Sequence, residues 1–343
     1  MVSCVQLTSK NSVNEPTPIT VMSSVPDPNG IAELILPQYE LPRSAECTYF
    51  ARGMHDTYRV DTEAQRFYLR VYRPRLRDEA AIRYELELLL FLKSKHFPAA
   101  WPMQTKDGRP YTLIDAPEGP RIAVLFIEAP GRSVGRCLTE SQARALGMRV
   151  AEMHTLCKDF RTPHRRAALD VETLIDTPIK MLEPLLRSRP NDLALLQQIG
   201  TTLRRAVADL PRKPPLWGVC AGDIHTGNVH FGDDDDPTLF DFDQCGPGWR
   251  VFEVAKFLQY AFTVDLPSSV RTAFVSGYQS LRPLDAREIR LIPDFMQAAV
   301  IWMMGFRAAL PEVVPRSTFS ISYFDRRFAT LRAIAGRGAA VLR

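Results

Sequence analysis

The sequence lacks the cysteine pairs and long apolar runs that mark large classes of proteins. Its six cysteines are scattered along 343 residues, with no C-x-x-C pair. This spacing argues against a zinc site or a disulfide framework, so we expect reduced thiols and a cytoplasmic location. The first ten residues have no continuous apolar core. No apolar run approaches the roughly 20 residues of a membrane-spanning helix, so we predict neither a signal peptide nor a membrane partner.

The chain also has little excess charge of either sign. Its 43 basic and 39 acidic residues leave a formal net charge of +4, which is too small to predict a nucleic-acid partner. The G-x-x-x-x-G-K-[ST] loop of P-loop kinases is absent, which argues against that architecture. The hydrophobic fraction of 45% and charged fraction of 24% are ordinary for a globular protein. We therefore expect one large domain or two lobes.

What the sequence does contain is a dense polar motif, C-A-G-D-I-H-T-G-N-V-H-F-G-D-D-D-D-P-T-L-F-D-F-D, which begins at Cys220. Asp223 and Asn228 stand five residues apart, and Asp241 follows thirteen residues later. This is the D-x-x-x-x-N spacing of a kinase catalytic loop, followed by an acid that opens a D-F turn. Phosphoryl transfer needs a carboxylate to orient the attacking hydroxyl and oxygen ligands for Mg²⁺. The motif predicts Asp223 as the catalytic residue and Asn228 and Asp241 as the metal ligands.

Turn and strand signals support this interpretation. Residues 229–231 and 238–240 are predicted as short strands joined by an acidic turn at 233–237. Such a hairpin would bring Asn228 and Asp241 to the same end, where they could share one ion. The alternative is a pair of ordinary turns in which these side chains only cap the backbone.

The motif resembles the signature H-G-D-x-H-x-G-N followed by D-F of the aminoglycoside phosphotransferase-like kinases. That superfamily includes antibiotic kinases, choline and homoserine kinases, and bacterial stress-response Ser/Thr kinases. The sequence departs from the signature at Ala221, where the family usually has His, and at Glu253, where Asp is common. The matching positions are Gly222, Asp223, His225, Gly227, Asn228, Asp241 and Phe242.

The resemblance implies an α+β fold of the bilobal, protein-kinase-like type, with a small β-sheet N-lobe, a mostly helical C-lobe, and ATP and Mg²⁺ as cofactors. Residues 1–27 lack periodicity and are predicted to be a flexible arm. Residues 28–129 would form the nucleotide-binding N-lobe, beginning with a short helix capped by Asn29. Residues 130–343 would form the helical C-lobe with the catalytic and metal-binding loops. Helices are predicted from Thr139 onward, and at 174–187, 192–210, 250–264, 267–281, 285–309 and 320–335.

Two charged residues are predicted to meet in the N-lobe. Arg70 lies on one face of the predicted strand 66–72, at the position where the family carries a basic residue that reaches the nucleotide phosphates. Glu85 holds the one charged position in the apolar stripe of a helix over 78–95. A buried carboxylate is costly unless paired, so Arg70 is its expected partner. The alternative is an exposed Arg on a sheet face.

The same resemblance implies the remaining nucleotide contacts. Gly53 would lie in a hairpin turn over the phosphates, although a plain hairpin turn would look the same. Phe126 would lie at the back of the adenine pocket. The hinge would run through Ile127, Glu128 and Ala129, whose backbone would bind the adenine.

One motif points to a different enzyme class. Gly131-Arg-Ser133-Val-Gly135 matches the G-x-S-x-G of serine hydrolases. That motif requires a tight strand-to-helix elbow, whereas Pro130 breaks the strand and the next helix begins only near Thr139. No H-G-G-G oxyanion segment is present. A kinase is therefore favoured over a hydrolase acting through Ser133.

The C-terminal composition bears on the substrate. Residues 262–343 contain eleven arginines, no lysine and six acidic residues. A pocket for a polycationic aminoglycoside should be acidic, so this balance argues against that substrate. We predict an ATP-dependent phosphotransferase acting on the hydroxyl of a neutral or anionic small molecule. The alternatives are a Ser/Thr kinase acting on a protein or peptide, which the D-F-D turn would suit, and a nucleotide-binding pseudokinase, which Ala221 and Glu253 would suit.

Overall fold

The computed structural model describes residues 19–338. The described chain begins with a small antiparallel sheet flanked by helices and continues into a mostly helical part. This is the predicted bilobal α+β architecture. The cleft between the two parts holds most of the residues singled out above.

A five-stranded antiparallel sheet forms the first part. The strands are β1 (Glu46–Arg52), β2 (Asp56–Asp61), β3 (Arg66–Val71), β4 (Thr112–Ala116) and β5 (Gly119–Ile127). Their spatial order is β1-β2-β3-β5-β4, so the largely apolar β5 is an interior strand. The alternation in β3 buries Phe67, Leu69 and Val71 on one face and leaves Arg70 on the other.

Two helices complete this lobe. Helix α1 (Pro28–Leu34) contributes Ile31 to the core that covers one face of the sheet. Its N-cap is Asp27 rather than the predicted Asn29, because the Asp27 side chain accepts a hydrogen bond from the Gly30 N–H and proline occupies the first helical position. Helix α2 (Glu79–Ser94) contributes to the second, larger core, which continues into the helical part.

The last residues of the predicted arm contact the sheet. Arg73 donates to Ser23 Oγ at 3.0 Å, Arg121 donates to Ser24 O at 2.8 Å, and the Tyr58 hydroxyl donates to Pro26 O. These bonds anchor the residues that precede α1. Residues 1–18, which make up most of that predicted arm, lie outside the described part of the chain.

The helical part begins after β5 with α3 (Glu140–Leu156), which starts near Thr139 as predicted and is capped there by a Thr139–Gln142 capping box. The helix predicted over 174–187 is divided into a π-helical turn, α4 and a 3₁₀ turn, because Pro178 and Pro184 interrupt the backbone hydrogen bonds. The helices that follow α3 are α4 (Thr177–Leu182), α5 (Pro190–Val207), α6 (Arg250–Thr263), α7 (Ser268–Leu281), α8 (Ala286–Ala308) and α9 (Ile321–Arg337).

Helix α8 has the length and apolar composition of a membrane-spanning segment. The sequence did not predict this, because charged residues interrupt the apolar run. Within the described residues it is the one helix that passes this test, and 72% of its most apolar window is buried inside the fold. It packs against α4, α5, α6 and α9. These contacts are those of a core helix.

Two small hairpin-like pairs separate α5 from α6. Strand β6 (Trp217–Cys220) pairs with β9 (Gly246–Trp249), and β7 (Val229–Phe231) pairs with β8 (Pro237–Leu239). The second pair is the predicted hairpin. Together they hold the polar motif at the mouth of the cleft.

Candidate active site

The cleft contains a cavity of about 380 Å³ between the sheet and the polar motif. Its walls come from β3, α2, the end of β5 and the loops around β7 and β8. Seven of the residues predicted to act in the site line it: Arg70, Glu85, Phe126, Ile127, Ala129, Asn228 and Asp241.

A smaller cavity of about 140 Å³ continues this cleft. Thr57, Arg70 and Asp241 line both cavities, and the smaller one adds Gly53 and Asp223. The turn between β1 and β2 therefore lies over the same space as the catalytic loop. The three motif residues converge on one cleft.

The loop predicted to be catalytic follows β6 and contains a glycine that no other residue could replace without strain. Gly222 has φ +87°, and a Cβ there would lie 2.1 Å from Gln244 O. The Asn228 side-chain amide donates to Asp223 O at 3.0 Å. This contact leaves the Asn228 side-chain oxygen available as a ligand.

Both histidines of the motif, His225 and His230, contact neighbouring parts of the fold. His225 Nδ1 accepts a hydrogen bond from the Gly227 N–H at 2.9 Å, and its ring stacks on Tyr260. His230 Nδ1 lies 2.8 Å from Ala129 O, which ties the hairpin to the end of β5.

Asp223 is held in its charged form by a residue that the sequence analysis missed. Burial by itself raises the pKa of Asp223, but Lys256 and His225 outweigh it and hold that pKa well below its usual range. Lys256 Nζ lies 2.5 Å from Asp223 Oδ1. Lys256 is only 3% exposed and lies in the middle of α6, among apolar neighbours. The sequence signal that could have revealed this residue is a lone lysine at the centre of an otherwise largely apolar helical stretch.

The predicted contact between Arg70 and Glu85 is present at 3.0 Å. The Tyr72 hydroxyl donates to the other carboxylate oxygen of Glu85 at 2.9 Å. Burial raises the pKa of Glu85 by more than the nearby Arg70 lowers it. Arg70 also donates to Asp241 Oδ1 at 2.9 Å, and its guanidinium lies 5.0 Å from the centre of the Phe126 ring. The planar Arg70 side chain therefore links α2, the D-F-D turn that carries Asp241 and the back of the cavity.

The second acid of the D-F-D turn has a structural environment that the sequence did not indicate. Asp243 is buried, with His55 Nε2 3.0 Å from Oδ1 and Arg77 Nη2 3.1 Å from Oδ2. Burial raises the pKa of Asp243, but His55 and Arg77 hold it well below its usual range. Asp243 thus fastens the turn that carries Asp241 to the β1–β2 turn, where His55 lies.

The two departures from the family signature are in contact with each other. Glu253 accepts hydrogen bonds from the Ala221 and Gly222 N–H groups. It is fully buried, and burial raises its pKa to about 7. His154 Nε2 lies 3.6 Å from Glu253, while His154 Nδ1 lies 2.8 Å from the Tyr278 hydroxyl. The carboxylate of Glu253 therefore fixes the backbone just before Asp223.

Not every predicted site residue faces the cleft. The carboxylate of Glu128 pairs with Arg66 at 3.2 Å, and the Glu128 N–H donates to Arg66 O. Glu128 is not among the side chains that line the 380 Å³ cavity, whereas Ile127 and Ala129 are.

Ser133, the candidate hydrolase nucleophile, lies in the loop before α3, and its hydroxyl donates to Thr226 O at 3.3 Å. It lacks the strand-to-helix elbow that the hydrolase motif requires.

A third cavity, of about 220 Å³, lies on the other side of Asp223. It is formed by side chains of α6, α8 and α9 together with Asp223 and His225. We refer to it as the acceptor cavity, after the role proposed for it. Asp223 lies in the wall of both this cavity and the 140 Å³ cavity of the cleft.

The donor set on the cleft side fits a hard divalent cation. Asn228 supplies an amide oxygen, and Asp241 supplies a carboxylate whose side chain is 45% exposed. Oxygen ligands of this kind are the ones that Mg²⁺ and Ca²⁺ prefer. Asp241 adopts φ 61°, a left-handed conformation in which aspartate is tolerated more readily than most residues. It presents the carboxylate beside Arg70.

Comparisons with known proteins identify the family of this chain. A family model described as "Phosphotransferase enzyme family" matches residues 46–291. A relative from Synechocystis sp., called uncharacterized protein sll1119, is 35% identical over 307 residues, which cover 90% of this chain and 85% of the relative. The chain belongs to the phosphotransferase enzyme family and is an ATP-dependent kinase.

Solved structures show the same fold. The microcompartment-associated aminopropanol kinase superposes with a TM-score of 0.76 at 22% identity, covering 91% of this chain and 99% of that one. Amicoumacin kinase hAmiN, in complex with AMP-PNP, Ca²⁺ and Ami, gives a TM-score of 0.72 at 18% identity, covering 92% and 93%. The predicted protein-kinase-like fold is confirmed.

Proposed function

We propose that this kinase transfers the γ-phosphate of ATP to the hydroxyl of a small molecule that is neutral or anionic. The observation that carries the proposal is the position of Asp223, which lines the nucleotide cleft on one side and the acceptor cavity on the other. A hydroxyl in the acceptor cavity and a terminal phosphate in the cleft would meet at this carboxylate. The names of the two structural relatives, which refer to aminopropanol and amicoumacin, agree with a small-molecule acceptor.

Asp223 would orient the hydroxyl and accept its proton. The alcohol oxygen bonds to the γ-phosphorus while the bond from that phosphorus to the bridging oxygen breaks, and ADP leaves with the electron pair. Lys256 keeps the Asp223 carboxylate charged and oriented. Asn228 and Asp241 would hold Mg²⁺, which when bound neutralises phosphate charge.

The nucleotide contacts follow from the cleft walls. Arg70, held by Glu85, would bind the phosphates, and Gly53 would cover them from the β1–β2 turn. Phe126 and Ala129 would contact the adenine. Glu128 would contribute only through its backbone, because its carboxylate is paired with Arg66.

The acceptor cavity favours a small ligand without several positive charges. Its volume of about 220 Å³ lies below the roughly 300–1,000 Å³ of sites for drug-sized ligands. Among the described residues that line it, Asp223 is the sole acid, whereas Lys256, Arg307 and Arg327 are basic. A polycationic aminoglycoside would meet like charges there.

The scattered free cysteines support the further proposal of a cytoplasmic location.

Incubation with radiolabelled ATP, Mg²⁺ and cell extract, followed by separation of small molecules from proteins, tests this function. We expect label in the small-molecule fraction, and its loss in Asp223→Asn. Asp233→Asn, which changes an exposed acid of the neighbouring turn, is the matched control. Label in proteins alone would support the Ser/Thr kinase alternative. Nucleotide binding without any transfer would support the pseudokinase alternative.

A further inference from the structure

Two of the arginines that line the acceptor cavity form no ion pair with the described residues. In the C-terminal helices, Arg282 pairs with Glu288 and Arg332 pairs with Asp192. Within residues 19–338, by contrast, neither Arg307 of α8 nor Arg327 of α9 forms an ion pair. Both are partly buried, and both line the acceptor cavity.

Two buried polar atoms at this cavity, one of them on Arg307 itself, also lack hydrogen-bond partners among the described residues. Arg307 Nε and the Tyr323 hydroxyl are shielded from solvent and form no hydrogen bond with the described residues. Tyr323 as a whole is only 7% exposed, and the Arg327 guanidinium lies 5.6 Å from the centre of its ring. Buried donors left unpaired cost free energy, so their clustering in one cavity indicates a ligand that accepts hydrogen bonds.

The charge of the cavity indicates which ligand. Asp223 and Lys256 neutralise each other across 2.5 Å. The two arginines therefore set the net charge of the remaining wall, and planar guanidinium groups bind carboxylate and phosphate in a bidentate manner. Resting on the proposed kinase function, we propose that the acceptor is a small alcohol carrying an oxyanion group, a carboxylate or a phosphate. Arg307 and Arg327 bind that group, the Tyr323 hydroxyl donates to it, and the alcohol lies at Asp223.

Isothermal titration of the full-length protein, saturated with AMP-PNP and Mg²⁺, tests this proposal. The anionic probes are 4-hydroxybutyrate and glycerol 3-phosphate, and their neutral counterparts are 1,4-butanediol and glycerol. 4-Amino-1-butanol is the cationic probe. We expect at least one anionic probe to bind ten-fold or more tightly than its neutral counterpart, and the stronger of the two identifies carboxylate or phosphate as the bound group.

Substitutions then assign the contact. Because hydrogen bonds to charged groups are among the stronger ones, Arg307→Gln and Arg327→Gln should each weaken the anionic probe about 10- to 100-fold and leave the neutral probe nearly unchanged. Arg327→Lys keeps the charge and should lose less. Arg326→Gln, which changes the exposed neighbouring arginine of α9, is the matched control and should bind like the wild type. Thermal unfolding of each variant checks that it is folded.

Three results would overturn the proposal: no binding of either anionic probe, equal or tighter binding of the neutral or cationic probes, or an equal effect of Arg326→Gln. AMP-PNP binding is measured first on the same samples. Its absence would contradict the kinase function itself, whereas nucleotide binding with a preference for uncharged or cationic alcohols would overturn only the anionic acceptor.

Discussion

Lys256 Nζ lies 2.5 Å from Asp223 Oδ1, although the two residues belong to different elements and are separated by 33 positions in the chain. Lys256 projects from α6 and is 3% exposed, while Asp223 lies in the loop between β6 and β7. The pair holds the carboxylate charged at the point where the nucleotide cleft and the acceptor cavity meet.

Lys256→Met should lower kcat about 10- to 100-fold with little change in the KM for ATP, because Asp223 loses the group that orients it but the nucleotide contacts stay. Removing one partner of a buried pair should also reduce the free energy of unfolding by about 3–5 kcal/mol. Steady-state kinetics and urea unfolding measure both. In a double-mutant cycle, Asp223→Asn combined with Lys256→Met should show strong coupling. Additive effects, or an equal loss in the exposed control Lys180→Met, would contradict this account.

Glu85→Gln should raise the KM for ATP about ten-fold, because a neutral amide holds the Arg70 guanidinium less firmly than a carboxylate does. The readout is the KM for ATP against kcat, which separates nucleotide binding from chemistry. Glu87→Gln is the control on the same helix, since Glu87 is partly exposed and contacts His164 rather than Arg70. If both variants behave alike, the Arg70–Glu85 pair does not position the phosphates.

Glu253 should make stability depend on pH. Its pKa is raised from 4.5 to about 7 in the folded protein, so the folded state binds the proton more tightly than the unfolded state. The stabilisation is fully present below about pH 4.5 and is lost as pH rises through about 7. Between pH 5 and pH 8 the wild type should lose about 2.5 kcal/mol of stability relative to Glu253→Gln, whose side chain does not titrate. Urea unfolding at several pH values measures the difference, and parallel curves for the two proteins would contradict the raised pKa.

The buried cysteines near the catalytic loop should not sense oxidants. Burial raises the pKa of Cys245 to about 12 and that of Cys220 well above its usual range, so neither forms the reactive thiolate. A thiol reagent such as DTNB should label the exposed Cys137 in the native protein and should leave Cys220 and Cys245 unlabelled until urea is added. Peptide mapping identifies the labelled sites. Rapid native labelling of Cys220 or Cys245 would show that the loop opens.

The sequence predicted those parts of the site that depend on short separations or on a periodic pattern. Asp223, Asn228 and Asp241 lie within nineteen residues, and one loop and one hairpin suffice to bring them together. Glu85 was recognised because it interrupts an apolar helical stripe. Arg70 was recognised because it lies on the polar face of an alternating strand, at the position where the resemblance implies a basic residue. Such patterns report burial directly.

Boundaries and caps were less well predicted. Asp27 rather than Asn29 caps α1, because several polar residues at the start of a helix compete for the same N–H groups. The helix over 174–187 is broken at its prolines, and α8 combines a membrane-like composition with a buried location. Local propensity does not distinguish these outcomes, since tertiary packing selects among them.

By itself the sequence determined the spacing of the Asp223–Asn228–Asp241 motif and the basic balance of the C-terminal helices, because spacing and charge are properties of neighbouring residues. The two-lobed α+β class was implied by the family resemblance that this motif carries. Only the tertiary structure decided which distant side chains complete the site: Lys256 beside Asp223, His55 and Arg77 around Asp243, and Arg307 with Arg327 in the acceptor cavity. These contacts join elements far apart in the chain. Their partners are chosen by how helices and strands pack, which no local pattern specifies.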